Sequence, residues 1–267
     1  MKTNTVIGDP IDHSLSPIIH TTAYKSLGID DEFVFNAVCV PANELEKYMK
    51  QVKEQPINGL AVTVPHKQAI VNFLDRVDDT AKEIGAVNTV VKEGGLLVGY
   101  NTDWIGAVDA LEAVVDLKDK KVALIGTGGA ARAIAYGVKQ SGARLTIFGR
   151  DSSKVIEISK QFGAMPAHID AQSEIAGHDI IINATSVGLS QKTEPELVAQ
   201  NLLDADHVVF DITYPRETML LRSAEKAGAR TITGLEMLIY QAIPQCELHT
   251  GKRPDIKVLR DALKGQL

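Results

Sequence analysis

The sequence predicts an α/β protein of two domains with a cleft between them. Three observations carry this expectation. At 267 residues the chain exceeds the usual size of one domain. Short β-rich runs alternate with amphipathic stretches throughout. Midway, at Lys120-Lys121-Val122-Ala123-Leu124-Ile125-Gly126, the same rhythm starts again.

In the N-terminal half, the strand TVIG is followed by the helix pattern PIIHTTAYKSLG, the strand FVFNAVCV, the helix pattern NELEKYMKQVKE and the strand GLAVTV. That order predicts β-α-β units and a largely parallel sheet. In the C-terminal half, KVALIG leads into the small-residue helix GAARAIAYGVKQSG, then into RLTIFGR, HDIIINAT and HVVFDIT, predicting a second sheet of the same kind.

No Pro/Gly/Ser-rich linker separates the halves. The apolar spacing of Ile105, Val108, Leu111, Val114 and Val115 instead predicts a crossing helix over 103–115. The expected organisation is a first domain over 1–103, a second over 104–234, and a helical segment 235–267 returning to the first domain. That return places Gln241 near the cleft, and a hinge is expected close to the Asp103 helix.

Composition excludes several classes. With 45% hydrophobic and 23% charged residues the chain has no room for extensive disorder. A formal charge of -6 without a dense Lys/Arg run speaks against nucleic-acid and anionic-membrane partners, which need a basic footprint. No run approaches the ~18 apolar residues of a membrane span, and the expected location is the cytoplasm. Cys39 and Cys246 are the only cysteines; lying in no CxxC or Cys/His cluster, both are expected to be buried fillers. The histidines show no metal-ligand spacing, and no metal is expected. Oligomeric state is not legible in the sequence.

The most specific local signal follows the strand KVALIG. Gly126-Thr127-Gly128-Gly129-Ala130-Ala131 satisfies G-x-G-x-x-A with its required strand before and helix after. Gly126 permits the tight turn, Gly128 lets backbone approach a pyrophosphate, and Ala131 allows close helix-strand packing. Phosphates would sit on the N–H groups of Thr127, Gly128, Gly129 and Ala130, where the helix dipole is positive. The second domain is therefore expected to be a Rossmann NAD(P)-binding domain.

Cofactor choice is expected to depend on the end of the next strand, 24 residues after Gly126. There Gly149-Arg150 is followed by Asp151, Ser152, Ser153 and Lys154. A guanidinium, two hydroxyls and an ammonium suit the 2'-phosphate of NADP. Asp151 points the other way, because a carboxylate at this place can bond the bare ribose of NAD. NADP is the expected cofactor, with NAD as the alternative.

Four polar clusters in the first half fall where strands end, the usual position of ligands in α/β folds. They are Ser14-Leu15-Ser16-Pro17, Val62-Thr63-Val64-Pro65-His66-Lys67, Gly85-Ala86-Val87-Asn88-Thr89 and Gly99-Tyr100-Asn101-Thr102-Asp103. Each alone has an ordinary reading: Ser16-Pro17 as a helix N-cap and first-turn proline, Asn88 as a turn residue, Asp103 as a cap.

Together, and in this order, they resemble the shikimate dehydrogenase family over essentially the whole chain. Asn183-Ala184-Thr185-Ser186, Asp211-Ile212-Thr213-Tyr214-Pro215 and the run from Gly234 to Ala242 continue the resemblance. It implies reversible reduction of 3-dehydroshikimate to shikimate with NADPH, a step of aromatic amino-acid biosynthesis. It also implies that Ser14 and Ser16 bind the substrate carboxylate, that Thr63, Lys67, Asn88, Asp103 and Gln241 hold ring hydroxyls, and that Tyr214 contacts the substrate beside the nicotinamide. Ile212 and Gly234 are expected to line the cofactor site; Asp79 stands where relatives bring an acid toward the cofactor, and reads equally as a first-turn helix acid on a solvated face.

The chemistry of the residues agrees. A hydroxyl that becomes a carbonyl must lose its proton as the hydride leaves, so a group able to transfer protons is required. Lys67 fits that role, with Asp103 as the carboxylate that orients it. His66, as a neighbouring position, is read as packing or surface. Two departures from the family pattern stand out. Ala61 replaces the asparagine usual before Val-Thr, which bears on substrate range, and Gly149-Arg150-Asp151 replaces Asn-Arg-Thr, which bears on cofactor choice. The alternatives are an NAD-dependent quinate/shikimate dehydrogenase, a non-catalytic dinucleotide or metabolite sensor, and a two-domain methylenetetrahydrofolate dehydrogenase, which is not expected to carry Ser-Leu-Ser-Pro.

Overall fold

The computed structural model describes residues 1–189, 195–214 and 217–264. Pro215 of the Asp-Ile-Thr-Tyr-Pro motif and the end of the returning segment, 265–267, lie outside the described residues. The chain divides into two compact units, Met1–Asp103 together with the residues from Leu238 through the last helix, and Trp104–Met237.

Strands β1 (Lys2–Gly8), β2 (Phe33–Cys39), β3 (Ile57–Val62), β4 (Arg76–Val77), β5 (Thr89–Glu93) and β6 (Leu96–Tyr100) form the six-stranded sheet of the first unit, ordered β2-β1-β3-β5-β6-β4. Helices α1 (Ser16–Ser26), α2 (Leu45–Glu54) and α3 (Asp79–Ile84) lie between them in sequence. Leu45, Met49 and Val52 give α2 its buried stripe at i, i+4 and i+7, packed with Ile7, Leu60 and Val62 of the sheet. Helix α4 (Asp103–Glu112) follows β6 and is shorter than expected, ending before Val114 and Val115.

This sheet is largely parallel, as expected, but mixed: five strands run one way and β5 alone is reversed. β3 pairs with β5, and β5 with β6, antiparallel. The β5–β6 connection is Gly94-Gly95, both at positive φ, the backbone that a two-residue hairpin with the right twist requires. Reversing β5 has a consequence for function. Ala61 of β3 lies opposite Thr89, and Thr89 opposite Tyr100. The start of β5 therefore shares one sheet edge with the ends of β1, β3 and β6, and with the loops that carry Ser14, Thr63, Asn88 and Asp103.

The second unit contains β7 (Lys121–Ile125), α5 (Gly129–Gln140), β8 (Arg144–Gly149), α6 (Ser152–Phe162), β9 (Met165–His168), α7 (Gln172–Ile175), β10 (Ile180–Asn183), β11 (Val208–Asp211), α8 (Met219–Lys226) and β12 (Arg230–Thr233). All pairings are parallel, in the order β12-β11-β10-β7-β8-β9. Numbered from its own first strand this is the 3-2-1-4-5-6 Rossmann order, whose direction reverses between β7 and β10. The uninterrupted apolar runs Val122–Ile125 and Ile180–Ile182 are buried, as expected of parallel strands covered on both faces. Helices α9 (Gly234–Thr250) and α10 (Ile256–Leu263) complete the chain, and α10 packs on α1 within the first unit.

Candidate functional site

In the first unit, four of the expected residues meet in one hydrogen-bonded cluster. Lys67 Nζ lies 2.6 Å from Asp103 Oδ2, with side-chain exposures of 14% and 6%. Asn88 Nδ2 donates to Asp103 Oδ1 at 3.0 Å and to Thr102 Oγ1 at 2.9 Å, and also lies 3.3 Å from Gln241 Oε1. Asn88 Oδ1 accepts from the Thr102 N–H at 2.8 Å. That main-chain donor fixes which way the amide points, because only the carbonyl oxygen can receive it.

The local causes are legible. Asn101 Oδ1 accepts from the Asp103 N–H, an Asx turn that brings the chain from β6 into α4 and puts Asp103 at its first position. The Val87 N–H donates to the Lys67 carbonyl at 2.7 Å, tying the Lys67 loop to the segment that carries Asn88. Each carboxylate oxygen of Asp103 thus has its own donor, as a buried charge requires. An ammonium has three donors, and Asp103 uses one.

Ser14 and Thr63 stand on loops, and Ser16 opens α1, at the same sheet edge and outside the hydrogen bonds of this cluster. Ser16 is not the N-cap of α1; Leu15 occupies that place, Ser16 and Pro17 enter the first turn, and Ser14 Oγ accepts from the Ser16 N–H. The local geometry makes Ser14 the residue that turns the chain. His66 is buried and its Nε2 contacts the Val40 carbonyl at 2.6 Å, a packing role. The Asp79 carboxylate is exposed and pairs with Lys82. Cys246 is buried, but Cys39 is exposed at the outer strand β2, so the expectation that both are fillers fails for Cys39. Ala61 is buried between β1 and β5.

In the second unit, the glycine-rich turn from Gly126 joins the end of β7 to the start of α5. Gly126 has φ +129, and a Cβ there would lie 2.7 Å from the Ala184 carbonyl oxygen. Turn and neighbouring β10 loop are thereby locked together at the switch point. Gly128 has open space where a Cβ would go; Thr127 and Gly129 flank it, Ala130 is half-buried, and Ala131 is fully buried against the sheet. The N–H groups at the start of α5 therefore face an accessible cradle that suits a pyrophosphate.

Arg150 is exposed directly after β8. Asp151 is the N-cap of α6, accepting from Ser153 N–H, Ser153 Oγ–H and Lys154 N–H. The Ser153 hydroxyl, then the Lys154 N–H, hold its carboxyl below the usual carboxylate range. The feature that favoured NAD is thus engaged in capping, and Arg150 and Lys154 remain as cations at a helix N-terminus. Gly149 packs against Val155, and Gly234 lies against the backbone of Ile212 and Thr213, where any side chain would collide. Asp211 receives Asn183 Nδ2, Thr213 N–H and Oγ1–H, and Thr218 Oγ1–H. Burial pushes its carboxyl up, against these donors. Tyr214 follows on the same loop, half-buried.

Sequence reasoning did not single out Thr102, Thr89, Asn101 or Gln245. The first three lie inside motifs already quoted, and the Asn-x-Asp spacing before a helix was the available signal for Asn101. Gln245 had none beyond its position one helical turn after Gln241.

A Rossmann unit with an accessible phosphate turn, joined to an α/β unit bearing a shielded lysine-carboxylate-amide cluster, defines a two-unit nicotinamide-dependent oxidoreductase. Models of known families match in three stretches: the shikimate dehydrogenase substrate binding domain over residues 6–90, shikimate / quinate 5-dehydrogenase over 109–236, and the shikimate 5'-dehydrogenase C-terminal domain over 234–264. The chain belongs to the shikimate dehydrogenase family. It is 40% identical over 262 residues to the shikimate dehydrogenase (NADP(+)) of Pyrococcus abyssi, covering 97% of this chain and 96% of that one. The crystal structure of shikimate dehydrogenase from Aquifex aeolicus superposes with TM-score 0.93 at 37% identity, over 99% and 98% of the two chains. That of the Thermus thermophilus enzyme in complex with NADP(H) and shikimate gives 0.90 at 33%, over 100% of both.

Proposed function

We propose that this chain is an NADP-dependent shikimate dehydrogenase, catalysing shikimate + NADP+ ⇌ 3-dehydroshikimate + NADPH + H+ in the route to chorismate and the aromatic amino acids. The observation that carries the reading is the Lys67–Asp103–Asn88–Gln241 cluster in a chain whose other unit has the Rossmann phosphate turn.

Gly126 to Ala131 are the residues that would cradle the pyrophosphate, with Arg150 and Lys154 for the 2'-phosphate and Ile212 and Gly234 lining the nicotinamide side. Bound there, NADP supplies the hydride acceptor. Ser14 and Ser16 offer hydroxyls for the substrate carboxylate; Thr63, Asn88 and Gln241 offer polar atoms for the ring hydroxyls, and Tyr214 a further contact. As the carbon–hydrogen bond breaks, Lys67 in its neutral amine form takes the hydroxyl proton and becomes the ammonium, and in reduction that ammonium returns the proton to the forming alkoxide. Asp103 keeps Lys67 in place, and Asn88 keeps Asp103 from turning away.

The reading supposes a small polyhydroxylated acid as substrate and a cytoplasmic enzyme, where reduced nicotinamide is available; the net charge of -6 supports no nucleic-acid partner. Among the described residues no helix is long and apolar enough to cross a membrane. The test is oxidation of shikimate and of quinate with NADP+ and with NAD+, followed at the reduced-nicotinamide absorbance. Dominant turnover of shikimate with NADP+ supports the proposal. A preference for quinate or NAD+ replaces it with the catabolic relative, and no turnover with any pair leaves a sensor.

A further inference from the structure

The Asn88 amide, whose direction the Thr102 N–H sets, is held further by Thr89 and Gln245 behind it. Asn88 Oδ1 receives the Thr89 hydroxyl at 2.8 Å as well as the Thr102 N–H. A hydroxyl has one hydrogen to give, so Thr89 points it at Asn88 best when another donor fills the hydroxyl oxygen. Gln245 Nε2 is that donor, at 2.8 Å, and it also donates to the Asn88 carbonyl at 3.2 Å.

Gln245 is itself held one way round. With its amino end facing two acceptors, its Oε1 faces His20 Nε2 at 3.0 Å, so His20 carries its hydrogen on Nε2. The His20 ring is stacked on Phe35 with centroids 4.3 Å apart. Both Gln245 and His20 are almost fully buried, at 2% and 1% exposure. In a dry interior, where competing water is absent, each bond in such a chain fixes the direction of the next. Gln241 and Gln245, one turn apart on α9, reach Asn88 from two sides: one accepts from its amide, the other donates to its backbone carbonyl.

We infer that Gln245 is a positioning residue for the dehydrogenase reaction: held by His20, it directs Thr89 and Asn88 so that Asn88 presents its amide hydrogens to Asp103 and to the site around Lys67. This rests on the functional reading above. Gln245 itself lies behind Asn88 and is given no contact with substrate.

The experiment is steady-state kinetics of the full chain, varying shikimate at saturating NADP+ and NADP+ at saturating shikimate. Gln245→Met keeps the volume and removes the bonds. Gln245→Glu keeps the shape but puts an acceptor where the amide donated to the Asn88 carbonyl and the Thr89 hydroxyl. Both are expected to lower kcat/KM for shikimate by about tenfold or more, the equivalent of about 1.4 kcal/mol, with KM for NADP+ within about twofold of wild type. Thr89→Val is expected to do the same, and Thr89→Ser, which restores the hydroxyl, to recover most of the loss. The Thr89 pair decides the matter if a Gln245 variant does not fold.

If Gln245→Met and Thr89→Val lower the thermal midpoint while kcat/KM for shikimate stays unchanged, or if both KM values rise together, Gln245 only packs and the inference is overturned. A wild-type chain that does not oxidise shikimate defeats the functional reading first, and the inference with it.

Discussion

Lys67 and Asp103 meet at 2.6 Å with both side chains largely shielded from water, at 14% and 6% exposure. Ion pairs such as Lys50–Glu46, Lys53–Asp75, Arg76–Glu93 and Arg253–Glu247 each have at least one partner well exposed, and exposed pairs contribute little. A shielded pair is costly to form and usually kept for a reason other than stability. Lys67→Ala is expected to reduce kcat by a factor of about 10² to 10⁴, the range for loss of a proton-transferring group. NADP+ affinity, read by fluorescence titration, should change little. Equal losses in both would mean that the variant damages the fold and says nothing for proton transfer.

Cofactor choice can be separated from helix capping. Arg150→Gln should raise KM for NADP+ by about tenfold or more while KM for NAD+ stays near wild type, because a charge-assisted contact with a phosphate is lost and none with a ribose hydroxyl. Asp151→Ala removes a cap and should lower the thermal midpoint, with KM for NADP+ within about twofold. A large gain in NADP+ affinity in Asp151→Ala would show that its carboxylate opposes the phosphate after all.

The two glycines of the phosphate turn should respond differently to alanine. At Gly126 the backbone is at φ +129 and a Cβ would crowd the Ala184 carbonyl at 2.7 Å. Gly126→Ala is therefore expected to cost on the order of 1–3 kcal/mol of stability as well as cofactor binding. Gly128→Ala meets open space. Its thermal midpoint should hold while NADP+ binding weakens, since only the ligand competes for that volume. Unchanged NADP+ affinity in Gly128→Ala would mean the pyrophosphate lies elsewhere.

How much of this could be read beforehand depends on how local each constraint is. The turn from Gly126 to Ala131 was legible because a tight turn, a close approach and close packing each restrict one position to a small residue. The alternating pattern announced two α/β units for the same local reason. The reversal of β5 does not follow from a β-α-β pattern: it is made by the Gly94-Gly95 hairpin, whose two positive-φ glycines are a local turn signal inside that pattern. Taken alone, Ser16-Pro17 reads as a cap and first-turn proline, although Leu15 fills the cap position. Lys67 and Asp103 could be nominated from motif order, but the partners that orient them could not. Gln245 and Asn88 are 157 residues apart, and nothing in a helical stretch marks which polar side chain finds a partner so far away.

The buried histidines give the first unit an acid-labile core. Burial, reinforced for His20 by nearby His249, lowers the pKa of His20 to about 3, and burial lowers that of His249 to about 4. Both are close to 6.5 in an unfolded chain. The folded state therefore binds fewer protons than the unfolded state across that interval. The stability they contribute is complete above about pH 6.5 and is lost as pH falls toward their folded values, by on the order of several kcal/mol. Nδ1 of each ring is buried with no hydrogen-bond partner, so a proton arriving there finds nothing to receive it. Urea midpoints measured from about pH 8 down to about pH 4 should fall for the wild-type chain and fall less steeply for His249→Gln, even though that variant starts lower. The same slope in both would show that titration of the carboxylates alone sets the acid limit.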